Sequence, residues 1–262
     1  MTPEPDGSGR GRTGTYDAAY YRANRQAGDR PALRWYARLV RRYCTPEPGA
    51  PGPYLDFGCG TGHLLRRLAA HGPAAGFEVS PWAADAARTT APGAVVYERL
   101  ADLPTGVFGA LVAVHVVEHL DDDAVAAALA AWRRVLVPGG RALVATPDLA
   151  GRGRALSGTR WVGYDDPTHV NLKPHARWRE LLVAHGFTVL REGSDGLWNV
   201  PYGAVPWPGD AARAAPAFIQ YLAGRLVLPP GAGESAVFVV QRSGKSSAQG
   251  TTRRASECPT GP

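Results

Sequence analysis

Tyr54-Leu55-Asp56-Phe57-Gly58-Cys59-Gly60-Thr61-Gly62 is the stretch from which the fold can be read. Tyr54-Leu55-Asp56-Phe57 reads as a short, largely apolar strand, and the glycines close it. A helix is predicted to open at His63, with Leu64, Leu65 and Leu68 on one face and Gly72 as its stop. Glycine lets the backbone turn sharply and approach a ligand, and a helix N-terminus presents amides with no intrahelical partner. A strand, a glycine turn and a helix in that order therefore predict a nucleotide-type ligand at the turn. Glu78 ends the next predicted strand, Ala75–Val79, 20 residues after Gly58. A carboxylate placed there can accept both hydroxyls of a ribose.

Outward from this stretch the chain alternates. Ser80-Pro81 starts a helix with a capping hydroxyl and a proline at the first helical position. Ala94–Tyr97 reads as a third strand. Phe108–Val114 is a fourth, apolar throughout, as a strand buried on both faces should be. Asp121 to Asp123 cap a helix running to Leu136, Pro138-Gly139-Gly140 ends it, and Arg141–Thr146 is a fifth strand. Strands alternating with helices imply a parallel sheet with right-handed crossovers. The rhythm then breaks into an insertion at 148–173. A helix from Pro174 to His185, a strand Phe187–Arg191, a second insertion at 193–233 with six prolines, and a strand Ser235–Gln241 follow. Upstream, helical spacing over Tyr16–Cys44 predicts an N-terminal helical cap within 15–50, and Thr45–Pro53 is a linker. Residues 1–14 and 243–262 are expected to be disordered tails. The reading is a doubly wound, Rossmann-like α/β sheet of about seven strands in 51–242, with the cap and two insertions near the C-terminus that serve the substrate.

Composition narrows the function classes. The 262 residues are 45% hydrophobic and 20% charged, which is globular and ample for a core. No uncharged apolar run approaches the length of a membrane span. Met1–Gly14 lacks an apolar h-region, and Cys44, Cys59 and Cys258 are too scattered for a disulfide or zinc framework, so a reduced, cytoplasmic protein is expected. The net charge of +6 is local. Arg22 to Arg42 holds seven arginines against Asp29 and accounts for all of it. Only two basic residues, Lys173 and Lys245, are lysines, so part of this basicity reflects a GC-rich coding sequence. The segment reads first as a solvated helix face, then as a cap attracting an anionic substrate, and last as an RNA-binding surface.

Asp56-x-Gly58-x-Gly60-x-Gly62 with an acid closing the second strand resembles the signature of class I S-adenosylmethionine-dependent methyltransferases. Residues 52–147 carry the resemblance, including Arg134-Val135-Leu136-Val137-Pro138-Gly139-Gly140. More loosely, Pro167-Thr168-His169 and Ala184-His185-Gly186-Phe187 are similar to the small-molecule, natural-product branch. The resemblance implies S-adenosylmethionine as cofactor. It implies that Gly58, Cys59, Gly60 and Gly62 pack under the methionine moiety and that Asp56 orients its ammonium. It further implies that Glu78 binds the ribose, that Val79 lines the adenine, and that His115 lies beside the cofactor. The family's usual acid for the adenine amine aligns with Arg99, which leaves the Leu100 backbone for that contact, and Gly109 replaces a second usual Asp. Tyr16, Tyr20 and Tyr21 are expected to fold over the cofactor as a lid.

Other readings of the same residues are weaker. Asp56-Phe57-Gly58 lacks the rest of a kinase, and no lysine follows the glycines as a phosphate loop needs. A dinucleotide fingerprint would place His63 where a small residue must pack. His115-Val116-Val117-Glu118-His119 matches an inverted zinc-protease run, but that chemistry needs both histidines on one helix, so no metal is expected. The expected activity is methyl transfer to O, N or C of a small molecule, anionic or aromatic, in bacterial specialised metabolism. His169 or His115 is the candidate base, each with a purely structural role as the alternative. RNA methylation through Arg22–Arg42, or cofactor binding without catalysis, are the other readings. No membrane contact is expected.

Overall fold

The computed structural model describes residues 16–24, 28–45, 53–199 and 208–244. The expected tails at 1–14 and from 245 onward lie outside the described residues. In chain order the elements begin with α1 (Ala18–Ala23) and α2 (Pro31–Leu39), the latter continued by a π turn to Cys44. Then come β1 (Tyr54–Phe57), α3 (His63–Ala69), β2 (Ala74–Phe77), α4 (Pro81–Thr90), β3 (Val95–Tyr97), β4 (Phe108–Val114), α5 (Asp122–Val135) and β5 (Leu136–Pro147). The chain continues through α6 (Arg152–Ser157), α7 (Val162–Asp165), α8 (His175–Ala184), β6 (Phe187–Ser194), α9 (Pro208–Ala223) and β7 (Ser235–Arg242).

The strands form one seven-stranded sheet in the order β3-β2-β1-β4-β5-β7-β6. β1 to β5 are mutually parallel, and β7 runs antiparallel to both β5 and β6. The reversed last strand is not written in the strand–helix rhythm. It follows from a short return: β7 leaves the second insertion already at the carboxyl end of β5, where Pro147 pairs with Ser235.

Both faces of the sheet are buried, and side-chain parity shows it. Leu111 and Ala113 of β4, Val144 of β5 and Phe238 of β7 face α5 and α8, where Trp132 and Trp178 fill the layer. Ala110, Val112, Leu143 and Val239 point the other way, against Trp35, Tyr36 and Leu39 of α2 and Leu64 and Leu68 of α3. A register shift between Phe108 and Ala110 returns Phe108 to the α5 side. The predicted cap therefore divides. α2 is a layer of the core, while α1 stands apart from it. Asp17 sets α1 off by accepting from the backbone N–H groups of Ala19 and Tyr20, both at 2.9 Å.

Several boundaries differ from the sequence reading. β2 ends at Phe77 and not at Val79, so Glu78 lies just past the strand, and β5 begins at Leu136 and not at Arg141. α5 stops at Val135, before Leu136 and the Pro-Gly-Gly run, because Leu136 is fully buried as a strand residue paired with Phe108. β6 runs on to Ser194. The insertions are not structureless. The first holds α6 and α7, and its ends are tied by Asp148, whose Oδ1 accepts from the N–H of both Ala150 and His175 at 3.0 Å. α6 and α7 have only six and four residues, too short to show a helical period. The second insertion holds the 16-residue α9, which tolerates Pro216 inside it.

Candidate functional site

All the strand ends that matter lie on one edge of the sheet, the carboxyl ends of β1, β2 and β4. After β1 the chain turns through Gly58, Gly60 and Gly62, all with positive φ. Gly58 is required on two grounds. Its φ is +74°, and a Cβ there would stand 2.5 Å from Val116 Cγ2. Gly62 is the equivalent point beneath, where a Cβ would meet Ala87 Cα of α4 at 2.7 Å. The N–H groups of Gly58 and Cys59 both bond to the Phe77 carbonyl, at 2.7 and 3.0 Å, which stitches the turn to the end of β2. Cys59 sends its thiol into the core between α3 and α4, with Leu65, Ala84 and Val96. Any contact it makes with a ligand is therefore through its backbone.

Two buried carboxyls sit behind this turn. Glu78 accepts from the Gly60 N–H through Oε2 and from the Ser80 N–H through Oε1, each at 2.9 Å. Burial raises its pKa, and those backbone donors hold it back. A carboxylate has about four lone-pair positions, so two remain for hydroxyl donors. Asp56 is 2% exposed and one of its oxygens, Oδ2, has no partner. Burial, with Glu78 nearby, pushes its pKa up to about 8. A buried, unpartnered carboxyl oxygen beside a glycine turn fits a ligand that brings its own cation, and the Glu78 pair fits a ribose. These residues suit the ammonium and ribose of S-adenosylmethionine. Val79 and Trp82 are exposed at the same edge, as an adenine surface requires. Leu100 opens a single 3-10 turn, and its carbonyl is taken by Arg134 at 2.7 Å.

α1 spans the edge from one side to the other. Tyr21 lies over the glycine turn, so that a Cβ on Gly60 would come within 3.3 Å of its ring. The same ring packs on Trp82 with centroids 5.4 Å apart. Ser80 donates to the Tyr16 carbonyl at 2.5 Å. Tyr20 turns the other way and donates to Asp166 Oδ2 at 2.7 Å, joined there by Asn24 at 3.2 Å. Of the two tyrosines, Tyr21 is thus the one at the turn, and Tyr20 locks α1 to the first insertion.

Past β4 stands a histidine cluster. His115 has φ +56°, the only positive value for a non-glycine among the described residues. Its Nδ1 lies 3.1 Å from Oε1 of Glu118, whose Oε2 accepts from Thr146 at 3.0 Å. Burial works to raise the Glu118 pKa, but the His115 hydrogen bond and the neighbouring imidazoles hold it below the ordinary value. His119 Nδ1 lies 2.8 Å from Thr168 Oγ1, and its ring stacks near His169 with centroids 4.7 Å apart. Burial lowers the His119 pKa. His169 Nδ1 lies 2.8 Å from the Gly163 carbonyl. His115 and His169, the two bases considered from the sequence, are thereby bridged by Glu118 and His119, which sequence reasoning passed over. The signal was present in His115-x-x-Glu118-His119. Its interpretation as two histidines one turn apart on a helix fails, because the run leaves β4 and enters a 3-10 turn at Val117–His119.

The arginines lie elsewhere. Arg34, Arg38 and Arg41 of α2 and its π turn face Arg66 and Arg67 of α3, and His71 just past its end, across a groove of about 450 Å³. That groove follows α3 toward its C-terminal end, away from the glycine turn at its start. Arg67 and Arg66 reach Asp29 at 2.5 and 3.4 Å.

A sheet of this order, with its glycine turn and ribose-type acid on one edge, is the framework of a class I S-adenosylmethionine-dependent methyltransferase. Residues 21–192 match the Methyltransferase domain family, and the chain belongs to it. It is an enzyme of that family, and its cofactor is S-adenosylmethionine. No curated protein matches it. Solved structures share the fold at low identity. A methyltransferase from Archaeoglobus fulgidus is 16% identical with TM-score 0.56, over 86% of this chain and all of that one. A Thermotoga maritima protein described as a possible histamine N-methyltransferase is 19% identical with TM-score 0.57, over 86% and 93%. A structure described for converting a disulfide bond into a thioacetal group during echinomycin biosynthesis is 21% identical with TM-score 0.56, over 90% and 94%. Among the described residues no helix is long and apolar enough to cross a membrane.

Proposed function

We propose that this enzyme methylates an oxygen or nitrogen atom of a small molecule in specialised metabolism. The observation that carries the reading is the bridge made by α1. From Tyr21 over the glycine turn to Tyr20 on Asp166, it covers the sheet edge, which suits a small acceptor better than a polymer. The echinomycin-pathway neighbour agrees with such a role. When bound, S-adenosylmethionine supplies a methyl group already activated on a sulfonium. The residues have the remaining tasks. Glu78 and Asp56 anchor the two polar ends of the cofactor, and the glycine turn lies beneath it. α1 excludes water and holds the acceptor in line, an effect on the order of 7–11 kcal/mol when alignment is complete. His169 is oriented to take the acceptor's proton. The Gly163 carbonyl can only accept, so the neutral ring is protonated at Nδ1 and carries its lone pair on Nε2. Base assistance of this kind contributes roughly 10²–10⁴-fold.

The arginine groove favours a second reading, methylation of RNA. It is ranked lower because the groove lies on the α2–α3 flank and not at the roofed edge. Calorimetric titration with S-adenosylhomocysteine tests the cofactor end, and a screen of small acceptors for a mass gain of one methyl tests the other. Turnover confined to RNA would overturn the small-molecule reading.

A further inference from the structure

We propose that Glu118, His119 and His169 form a site for a divalent first-row metal ion such as Zn²⁺, with open positions that take an oxygen of the methyl acceptor. One donor atom from each residue lies within 4.8 Å of the others. They come from two separate segments, the 3-10 turn after β4 and the first insertion. Backbone bonds hold the segments together, since the N–H groups of Val170 and Asn171 both donate to the Glu118 carbonyl at 3.0 Å.

The hydrogen bonds around the two rings set their tautomers. Thr168 Oγ1 gives its own proton to Asp166 Oδ1 at 2.6 Å, so toward His119 Nδ1 it is an acceptor. His119 is then protonated at Nδ1 and carries the lone pair on Nε2. The Gly163 carbonyl imposes the same tautomer on His169. A histidine whose far nitrogen donates to a carbonyl or a hydroxyl–carboxylate chain is the arrangement that orients a metal ligand. Glu118 is fully buried, and its hydrogen bonds from His115 and Thr146 occupy about half of its lone-pair positions.

Two imidazoles and one carboxylate are a borderline donor set. It suits zinc or iron rather than magnesium, and three protein ligands leave positions for a small molecule. Metal–ligand bonds of about 2.0–2.2 Å bring such donors to about 3–3.5 Å from one another, so the side chains close inward by rotation. Tyr16 of the lid segment packs edge-on against the His119 ring, centroids 5.9 Å apart, which places the site beneath the roof. The acceptor half of this inference deepens the function proposed above and rests on it. The metal half does not. With metal bound, the Nε2 pair of His169 is a ligand and no longer a base.

The test uses the full chain, stripped with a chelator, reloaded with Zn²⁺ and dialysed, with bound metal measured by mass spectrometry. Cobalt(II) loading gives a visible absorption band as a second readout. The expected result is one zinc per chain, with affinity reduced at least roughly tenfold in His169→Ala and in His119→Ala, and by about 10–100-fold in Thr168→Ala, which only orients a ligand. Circular dichroism and S-adenosylhomocysteine binding establish that each variant is folded. Wild-type protein that keeps no stoichiometric zinc, or a His169→Ala variant that keeps it as tightly, overturns the proposal. If S-adenosylhomocysteine still binds in that case, the methyltransferase site stands and His169 reverts to base. Failure of the metal-free wild type to bind S-adenosylhomocysteine counts against the cofactor site alone.

Discussion

Glu78 and Asp56 share one edge of the sheet but work in opposite senses. Glu78 is satisfied by two backbone donors before any ligand arrives. Removing its side chain releases the Gly60 and Ser80 amides together with the ribose contacts proposed for it, so Glu78→Ala should weaken S-adenosylhomocysteine at least roughly tenfold by calorimetry. Asp56 keeps one oxygen without a partner, and its folded-state pKa of about 8 stands above the ordinary 3.8. The folded chain therefore holds a proton that the unfolded chain releases. The stabilisation this gives is complete below about pH 4 and is lost as pH rises through about 8. Asp56→Asn removes the titration. The apo variant should match wild type near pH 4 and melt more than about 5 °C higher at pH 9, while losing affinity for S-adenosylhomocysteine. A melting difference independent of pH would contradict the buried charge.

At the scale of elements, the site depends on how α1, α3 and α4 meet. Gly62 lets the start of α3 pass against Ala87 of α4. With φ at +84° and no room for a Cβ, Gly62→Ala should cost about 2 kcal/mol and lower the melting temperature by roughly 4–8 °C. The tie between α1 and the first insertion is lighter. Tyr20→Phe deletes one hydrogen bond to a carboxylate, worth about 1.5–3 kcal/mol. Faster amide exchange over residues 16–24 and a KM raised by roughly tenfold are expected, with little change in overall melting. Unaltered exchange would show that Tyr20 does not hold the lid. These two elements also show what local pattern can carry. Ser80-Pro81 and Asp121 announce their helices because capping is a short-range interaction, and Ser80 accepts from the Ala83 N–H as the motif requires. α6 and α7 announce nothing, since their stability comes from packing. A Cβ on Gly163 would strike the Trp161 ring at 2.3 Å.

Across the whole molecule, charge and chemistry are segregated. Three of the seven arginines that account for the net charge, Arg34, Arg38 and Arg41, line a flank groove with Arg66 and Arg67, while the roofed edge holds carboxyls and histidines. Replacing Arg34, Arg38 and Arg41 together by glutamine should leave turnover of a small acceptor within about twofold, since long-range steering acts mainly on association. A collapse of that turnover would mean that the groove delivers the substrate.

The strand–turn–helix at Asp56–Gly62, the acid at Glu78, the two-sided burial of β4 and the family itself were all legible in the chain, because each is a matter of neighbours a few residues apart. The reversal of β7, the absorption of α2 into the core and the division of Tyr20 and Tyr21 between the first insertion and the glycine turn were not. Nor was the meeting of Glu118 and His119 with His169. Those depend on contacts between residues far apart in sequence, whose partners are chosen by the packing of the whole sheet. Local propensity specifies the parts that make a cofactor turn, and only the closed fold determines which histidines face one another beside it.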